Sequence, residues 1–287
     1  MISLFQAVVL GLLQGVSELF PISSLGHSVI FPRLFGWSIH QNDPFFLTFL
    51  VATHTATAIV LLGFFWKDWM NILRGMGRSL SARTIAPDNT AGKLGWLLVV
   101  GTIPAGILGL LLEDPLRALF ASAQIAAGFL ILNGVLLWVA ERLRRRAPET
   151  NSADGSDVRV SKLSWGQSLL VGATQALALI PGLSRSGASM GGSLLVGLSN
   201  EDAARFSFLL ATPVIAAAAA LKLPTLFSPE NHSLLLPSLV GAMCAGVSAF
   251  LAVRFLVKYF ESKRLTPFAV YCVVAGVIFS VAFLLGR

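Results

Sequence analysis

The sequence predicts an all-α integral membrane protein with six transmembrane helices plus two re-entrant helical hairpins, arranged as an inverted-topology repeat. Three observations predict this fold class: an apolar composition, charge-free segments of membrane-spanning length, and motifs that occur once in each half of the chain. Of the 287 residues, 55% are hydrophobic and 12% are charged, and the mean hydropathy is +0.77. This composition excludes disordered, collagen-like and coiled-coil chains.

Six segments without Asp, Glu, Lys or Arg reach or approach the roughly 20 residues that cross the hydrocarbon layer. We predict a transmembrane helix in each, at residues 44–66, 94–112, 118–140, 206–221, 234–253 and 265–286. Cys244 and Cys272 lie inside two of these segments without His or Cys at ligand spacing. We therefore expect both to be packing residues, with neither a disulfide nor a zinc site.

Two further apolar stretches, residues 3–36 and 164–199, are interrupted in the middle by Pro, Ser and one strong charge. Each predicts a helix, a break and a second helix. If both pairs re-enter on the side from which they started, the basic loops 67–93, 141–163 and 258–264 share one face. The positive-inside rule then predicts that these loops are cytoplasmic and that both termini lie outside. If both stretches crossed fully, loop 258–264 would move to the outer face and the asymmetry would weaken.

The net charge of +7 also has to be weighed against nucleic-acid binding. The basic residues lie mostly between apolar runs and form no stripe interleaved with aromatic side chains. Membrane topology accounts for them better, so we expect no nucleic-acid partner.

The chain contains an internal repeat. Gln6, Gly11 and Gln14 recur as Gln167, Gly172 and Gln175, and Pro21 and Ser24 recur as Pro181 and Ser184. We therefore predict a single membrane domain over residues 1–287, with halves 1–140 and 164–287 joined by a polar, basic linker at 141–163. Each half holds an odd number of spans, so the second copy should be inverted and the two breaks should form one site near the midplane.

The first break places several polar groups inside an apolar stretch. Gln14 and Glu18 are four residues apart and share one helix face, and a carboxylate in such a segment indicates function. Pro21 ends the helix, Ser23 and Ser24 suit an N-cap, and His27 lies one turn beyond Ser24. Ser24 and His27 are thus predicted to lie within reach of each other, as a nucleophile and its base. The simpler alternative is that the serines only cap a helix and that Glu18 pairs with a buried cation.

The second break, at residues 181–189, again offers Pro-Gly and a capping serine, Ser184. The start of the following helix favours an anion such as phosphate, and Arg185 adds a planar fork suited to phosphate oxygens. In the repeat alignment Arg185 stands opposite Leu25, so the two halves differ chemically. The structural alternative is a Glu18 to Arg185 ion pair. Polar residues of the first span, including His54, are assigned to hydrogen bonding between helices and left out of the site.

Three motifs resemble the undecaprenyl-diphosphate phosphatases of bacteria, also known as the bacitracin-resistance protein family. They are Q-G-V-S-E at 14–18, P-I-S-S-L-G-H at 21–27 and P-G-L-S-R-S-G at 181–187. The resemblance covers nearly the whole chain. It implies a membrane phosphoric anhydride hydrolase that removes the terminal phosphate of the C55 lipid carrier diphosphate, recycling the carrier for peptidoglycan synthesis.

The same resemblance implies roles for individual residues. The expected catalytic residues are Glu18, Ser24, His27 and Arg185. The expected substrate-binding residues are Gln14, Ser23, Ser184, Ser186 and Ser189. It also implies a divalent cation, Mg or Ca, at Glu18 with Gln14. Because many members have Glu where this chain has Gln14, a metal site built from two carboxylates is in doubt.

The expected partners are a polyprenyl diphosphate lipid and the bilayer, and a homodimer is compatible with the sequence. We expect a multi-pass protein of the bacterial inner membrane whose active site opens to the outer, periplasmic face. The strongest alternative from another class is a transporter or flippase of an anionic lipid or small anion, because inverted repeats with broken helices are typical of transporters.

Overall fold

The computed structural model describes residues 2–39, 44–112, 122–144 and 155–286, and across these ranges the chain is helical with no β-strand. The first half forms α1 (Leu4–Leu19), α2 (Ser24–Leu34), α3 (Pro44–Phe64), α4 (Trp66–Ala82), α5 (Thr90–Leu111) and α6 (Ala123–Arg144). The second half forms α7 (Ser156–Ser161), α8 (Trp165–Ala176), α9 (Arg185–Leu195), α10 (Asn200–Lys222), α11 (Leu235–Phe260) and α12 (Thr266–Leu284). Short 3-10 turns cover Leu177–Leu179, Leu223–Phe227 and Pro229–Leu234.

Six of these helices are long and apolar enough to cross a membrane, namely α3, α5, α6, α10, α11 and α12. They coincide with the six predicted spans, although residues 118–121 of the third lie outside the described ranges. Helix α10 starts earlier than predicted because Glu201 and Asp202 occupy its first turn, where acidic side chains favour a helix start. A criterion of charge-free segments cannot include such termini.

The prediction of a loop at 67–93 is wrong for its first half, which is the amphipathic helix α4. Ile72, Gly75 and Ser79 are buried on the face that packs against α5, while charged side chains occupy the other faces. Charges at helical spacing hide an amphipathic helix from a search for apolar runs. The predicted linker 141–163 is also partly helical, because α6 continues to Arg144 and α7 follows from Ser156. The remainder of that linker, residues 145–154, lies outside the described ranges.

Both broken stretches have the predicted pattern of helix, break and helix. In the first, α1 gives way to extended backbone at Phe20 before Pro21, and Ser23 caps α2 by accepting the Gly26 N–H at 3.1 Å. In the second, Ser184 caps α9 by accepting the Gly187 N–H, also at 3.1 Å. Each cap satisfies a backbone N–H group that the start of a helix leaves without a partner.

Each broken stretch folds back on itself as a hairpin of two short helices. The rings of Phe5 and Trp37 lie 6.3 Å apart between centroids, which brings the start of α1 to the end of α2. In the second hairpin, the Gln167 side chain donates to the Val196 carbonyl at 3.5 Å. Helix α1 has 16 residues and α2 has 11, which correspond to about 24 and 17 Å at 1.5 Å per residue.

Each hairpin packs against a long helix of the other half. Helix α1 lies along α11, and a Cβ atom on Gly11 would be 2.3 Å from the Gly241 carbonyl oxygen. Helix α8 lies along α5, and a Cβ atom on Gly172 would be 2.2 Å from the Gly101 carbonyl oxygen. Only glycine allows backbones to approach this closely, so the two halves interlock through matching glycine contacts.

The three predicted basic loops meet at one end of the helical bundle. Arg205, near the start of α10, pairs with Asp68 of α4 and with Asp157 of α7. The Asn200 side chain donates to the carbonyl of Lys263, which lies between α11 and α12. These contacts join the described parts of 67–93, 141–163 and 258–264 on a single face, as expected.

Candidate active site

The two helix breaks face each other inside the bundle. Ser23 Oγ donates to the Leu183 carbonyl at 3.1 Å, and Ser186 Oγ donates to the Phe20 carbonyl at 3.2 Å. Ser23 is held at a φ of +69°, a conformation that is rare for a residue with a side chain. These reciprocal contacts bring together the N-termini of α2 and α9, as the sequence predicts.

A residue of α6 that the sequence did not single out links the two breaks. Asn133 Nδ2 donates to the Pro21 carbonyl at 3.0 Å, while its Oδ1 accepts the Ser184 N–H at 3.0 Å. Asn133 is 3% exposed. An amide side chain offers both donors and an acceptor, so this single residue satisfies backbone groups that each break leaves free.

Glu18, near the end of α1, is the centre of the site and is 4% exposed. Its Oε1 accepts two hydrogen bonds from Arg185, from Nε at 3.0 Å and from Nη2 at 2.9 Å. Its Oε2 accepts the Ser24 hydroxyl at 2.5 Å and the Gln14 amide at 3.0 Å. A buried carboxylate is costly unless it is paired and hydrogen-bonded, and here both oxygens are satisfied.

The structure therefore contains the Glu18 to Arg185 pair that sequence reasoning kept as a structural alternative. It places Ser24 in the same cluster, which a plain ion pair does not require. Arg185 Nη1 and Gln14 Oε1 are buried and have no hydrogen-bond partner among the described residues. The cluster thus retains one free cationic N–H donor group inside the protein.

The helix caps correct the alignment of Arg185. Ser23 caps α2 and Ser184 caps α9, so the first helical residues are Ser24 and Arg185. Arg185 and Ser24 therefore hold the same first position in their helices, whereas the sequence alignment set Arg185 opposite Leu25. Both residues reach Glu18 from the first turn of their helices.

Ser24 and His27 have hydrogen-bond partners other than each other among the described residues. His27 is fully buried; its Nδ1 lies 2.7 Å from the Ser23 carbonyl and its Nε2 lies 2.9 Å from the Tyr271 hydroxyl. Because a carbonyl only accepts, Nδ1 carries a hydrogen, and in the neutral ring Nε2 is then the acceptor. The hydroxyl of Ser24 donates to Glu18 instead, since the carboxylate is a stronger acceptor.

The remaining predicted residues lie around this cluster. The hydroxyls of Ser184 and Ser186 are 3.1 Å apart at the start of α9. Ser189 donates to the Arg185 carbonyl at 2.9 Å and lies 2.6 Å from the hydroxyl of Ser207 on α10. Ser189 therefore joins α9 to α10, whereas Ser184 and Ser186 stay beside the breaks.

Two residues that the sequence left out of the site contact its members. His54 Nε2 of α3 lies 3.2 Å from Glu18 Oε2, and the Tyr271 hydroxyl of α12 lies beside His27. His54 carried a usable signal, because an ionisable residue inside a span indicates function by default. Tyr271 carried none, since tyrosines are common in spans near the interface.

The residues do not form a protein-built metal site. Both oxygens of Glu18 are occupied by donors, and Gln14 approaches them with its amide N–H. Within the described ranges there is no group of three or more His, Cys, Asp or Glu side chains that could hold a metal ion. A hard cation such as Mg²⁺ needs several oxygen ligands, which this cluster does not offer by itself.

Comparison with known proteins identifies the family. Residues 7–278 match the family described as bacitracin resistance protein BacA. The chain belongs to the BacA family.

The curated relatives of this BacA family chain carry concordant names. The undecaprenyl-diphosphatase of Mycolicibacterium paratuberculosis (strain ATCC BAA-968 / K-10) is 47% identical, over 96% of this chain and 95% of the relative. The undecaprenyl-diphosphatase of Mycobacterium avium (strain 104) is also 47% identical, with the same coverage of both chains. Undecaprenyl-diphosphatase 2 of Burkholderia ambifaria (strain ATCC BAA-244 / DSM 16087 / CCUG 44356 / LMG 19182 / AMMD) is 46% identical, over 96% of each chain.

Proposed function

We propose that this protein is a membrane phosphatase that hydrolyses undecaprenyl diphosphate to undecaprenyl phosphate and inorganic phosphate, and so recycles the lipid carrier for cell-wall synthesis. The observation that carries the proposal is the buried cluster in which Ser24 donates to Glu18 beside an arginine with a free N–H group. The relatives named undecaprenyl-diphosphatase supply the substrate.

In the first step Ser24 Oγ attacks the terminal phosphorus. The Oγ–H bond breaks and its proton passes to Glu18 Oε2, the acceptor 2.5 Å away. The new Oγ–P bond forms while the bond from phosphorus to the bridging oxygen breaks, and that oxygen leaves with the electron pair as prenyl phosphate. This assigns the role of base to Glu18, in place of the His27 expected from the sequence.

The charge on the phosphoryl group is stabilised from several directions. Arg185 Nη1 offers a donor, and the N-termini of α2 and α9 add the positive ends of two helix dipoles. Such groups act strongly in a site from which water is excluded. Ser184 and Ser186 lie at the start of α9 beside Arg185, with their hydroxyls bonded to each other.

In the second step a water molecule hydrolyses the phosphoserine. We assign His27 Nε2 as the base for this water, because the Ser23 carbonyl fixes the ring with Nε2 as its acceptor. The water gives one proton to Nε2, its oxygen bonds to phosphorus, and Ser24 Oγ leaves and recovers its proton from Glu18. The Tyr271 hydroxyl contacts Nε2 at 2.9 Å, and the water takes this place in the second step.

We propose that the divalent cation binds together with the substrate. Because Glu18 is saturated with donors, we expect Mg or Ca to arrive bound to diphosphate oxygens. The test measures Mg²⁺ binding to the metal-free protein by calorimetry, with and without a non-hydrolysable diphosphate. Tight binding of Mg²⁺ to the protein alone would contradict this expectation.

We further propose that both hairpins are re-entrant and that the two halves form an inverted repeat. The helices of the hairpins are shorter than the roughly 30 Å hydrocarbon layer. In each hairpin, a contact joins the start of the first helix to the end of the second. The open end of the first hairpin, where α1 starts and α2 ends, lies near Phe46 at the start of α3. In the second hairpin, α8 lies near Leu97, close to the start of α5. The reciprocal glycine contacts between the two halves also support an inverted repeat.

With the basic loops in the cytoplasm, the first hairpin enters from the periplasmic side of the inner membrane, and the site opens there. The diphosphate then stays in a polar cleft while the prenyl chain remains in lipid. The test applies a membrane-impermeant thiol reagent to intact cells with a permeabilised outer barrier, comparing Ser38→Cys with Ser262→Cys after Cys244 and Cys272 are replaced by alanine. We expect labelling of Ser38→Cys alone; the opposite pattern would reverse the orientation.

The decisive experiment for function uses the purified protein in detergent, where no second compartment exists. We expect release of inorganic phosphate from a prenyl diphosphate. No release under any divalent cation would favour a transporter or flippase, whose anion site would not need Ser24. Light scattering in the same detergent would test whether the protein forms a homodimer.

A further inference from the structure

His54 contacts the Glu18 cluster and has no role in the two steps above. It lies in the middle of α3, and its side chain is 17% exposed. Nε2 is 3.2 Å from Glu18 Oε2, and Nδ1 is 2.7 Å from the Leu50 carbonyl.

The two contacts fix the number of protons on this pair. The Leu50 carbonyl can only accept, so Nδ1 of His54 carries a hydrogen. A second proton must lie between Nε2 and Glu18 Oε2, because otherwise two lone pairs would face each other. Ser24 and Gln14 donate to the same Oε2 and Arg185 donates to Oε1, and all of these donors favour the carboxylate form. The shared proton therefore resides on His54, which is an imidazolium.

A comparison of the two halves of the chain shows that the fold does not require the contact between His54 and Glu18. The segment Thr48–His54 of α3 corresponds to Ser207–Pro213 of α10, so Pro213 occupies the position of His54. The counterpart of Glu18, at the repeat offset of 161, is Leu179. The second half thus lacks the histidine and the carboxylate together and still folds into the same hairpin and span. The imidazolium is coupled to the carboxylate and not to the architecture.

We propose that His54 is a positioning residue of the phosphatase site: a cationic donor that holds the Glu18 carboxylate in place against Ser24. Together with Arg185 it surrounds one negative charge with two positive ones, which holds Glu18 in its carboxylate form beside Ser24. This inference rests on the roles given to Glu18 and Ser24 in the proposed function.

The first test measures kcat and KM with farnesyl diphosphate in detergent for His54→Ala and His54→Gln. Loss of a hydrogen bond to a charged partner predicts that kcat of His54→Ala falls by about ten- to a hundredfold, while KM changes by less than about threefold. Glutamine keeps an N–H donor, so kcat of His54→Gln should be at least about tenfold higher than kcat of His54→Ala. Thr57→Val is the matched control, because among the described residues Thr57 makes only the same type of bond within α3, to the Thr53 carbonyl at 2.9 Å.

The second test repeats His54→Ala in a Glu18→Gln background. If His54 acts through Glu18, the double variant should differ from Glu18→Gln by less than about threefold, as expected for coupled sites. Wild-type kcat in His54→Ala, beside an inactive Glu18→Gln, would overturn this inference and leave the proposed function standing. Wild-type kcat in Glu18→Gln would overturn the proposed site itself. Equal losses in His54→Ala and His54→Gln, together with a lowered melting temperature, would assign His54 a purely structural role and overturn the inference.

Discussion

The two broken stretches share their capping pattern and carry different chemistry. Helices α1 and α8 begin with the same capping box, Ser3 with Gln6 and Ser164 with Gln167. The caps of α2 and α9 accept their N–H groups at the same distance. A hairpin that ends inside the bundle must satisfy these backbone groups in either half, so the capping residues recur.

The side chains that reach the centre differ between the breaks. The first contributes Glu18, Ser24 and His27, and the second contributes Arg185. The amide of Gln14 donates to Glu18, whereas its counterpart Gln175 is buried with no hydrogen-bond partner among the described residues. A carboxylate from one break and a cation from the other thus meet in one cluster. A second copy of each would place like charges together, which is costly in a buried site.

The largest expected effect concerns the cation of the second break. Arg185→Ala removes the charge that stabilises the phosphoryl oxygens, so kcat should fall by about a hundredfold or more in phosphate release assays. Arg185→Lys keeps the positive charge but not the planar, two-pronged guanidinium group. Its kcat should therefore lie between those of Arg185→Ala and the wild type. Arg33→Ala, at an exposed position near the end of α2, is the control and should match wild type. Full activity of Arg185→Ala would remove the second break from the reaction.

The next effect concerns His27, the proposed base for the water in the second step. His27→Ala should lower kcat by about a hundredfold, which is within the usual range for a general base. Tyr271→Phe leaves Nε2 of His27 free and should stay within about threefold of wild type, if the tyrosine only occupies that nitrogen at rest. The same phosphate release assay measures both variants. A Tyr271→Phe variant as inactive as His27→Ala would make the tyrosine part of the machinery.

A stability experiment tests whether the hairpins are structurally equal. Gly11→Ala and Gly172→Ala both insert a methyl group into a backbone contact, which typically costs about 1–3 kcal/mol. We expect similar drops in melting temperature in detergent for the two variants. At Gly63 an added Cβ atom meets no atom within 4 Å, so Gly63→Ala should not lower the melting temperature. A large difference between the first two variants would show that the halves do not pack equivalently.

The smallest effect concerns the capping boxes. Ser3→Ala and Ser164→Ala each remove one N-cap and should cost about 1 kcal/mol. Because the two caps lie in different hairpins, the double variant should lose the sum of the two within about 0.5 kcal/mol. Melting curves of the four proteins measure this. Strong departure from additivity would indicate that the hairpins form cooperatively.

The sequence determined the elements that depend on local composition. The six spans follow from charge-free runs, and the breaks follow from Pro21 and Pro181 with their capping serines. Glu18 and Arg185 were identified because a charged side chain inside an apolar stretch is costly and therefore indicates function. Helix α4 was missed, since its charges recur at helical spacing and interrupt the apolar signal.

Only the tertiary structure decided which side chains meet. Ser24 and His27 are one turn apart in sequence, yet Ser24 bonds to Glu18 and His27 bonds to Tyr271, some 244 residues away in the chain. Asn133 and His54 enter the site from other helices and no local pattern couples them to the breaks. Hydrogen bonds are short-ranged and directional, so partners are fixed by the packing of whole helices and not by the spacing of residues along one of them.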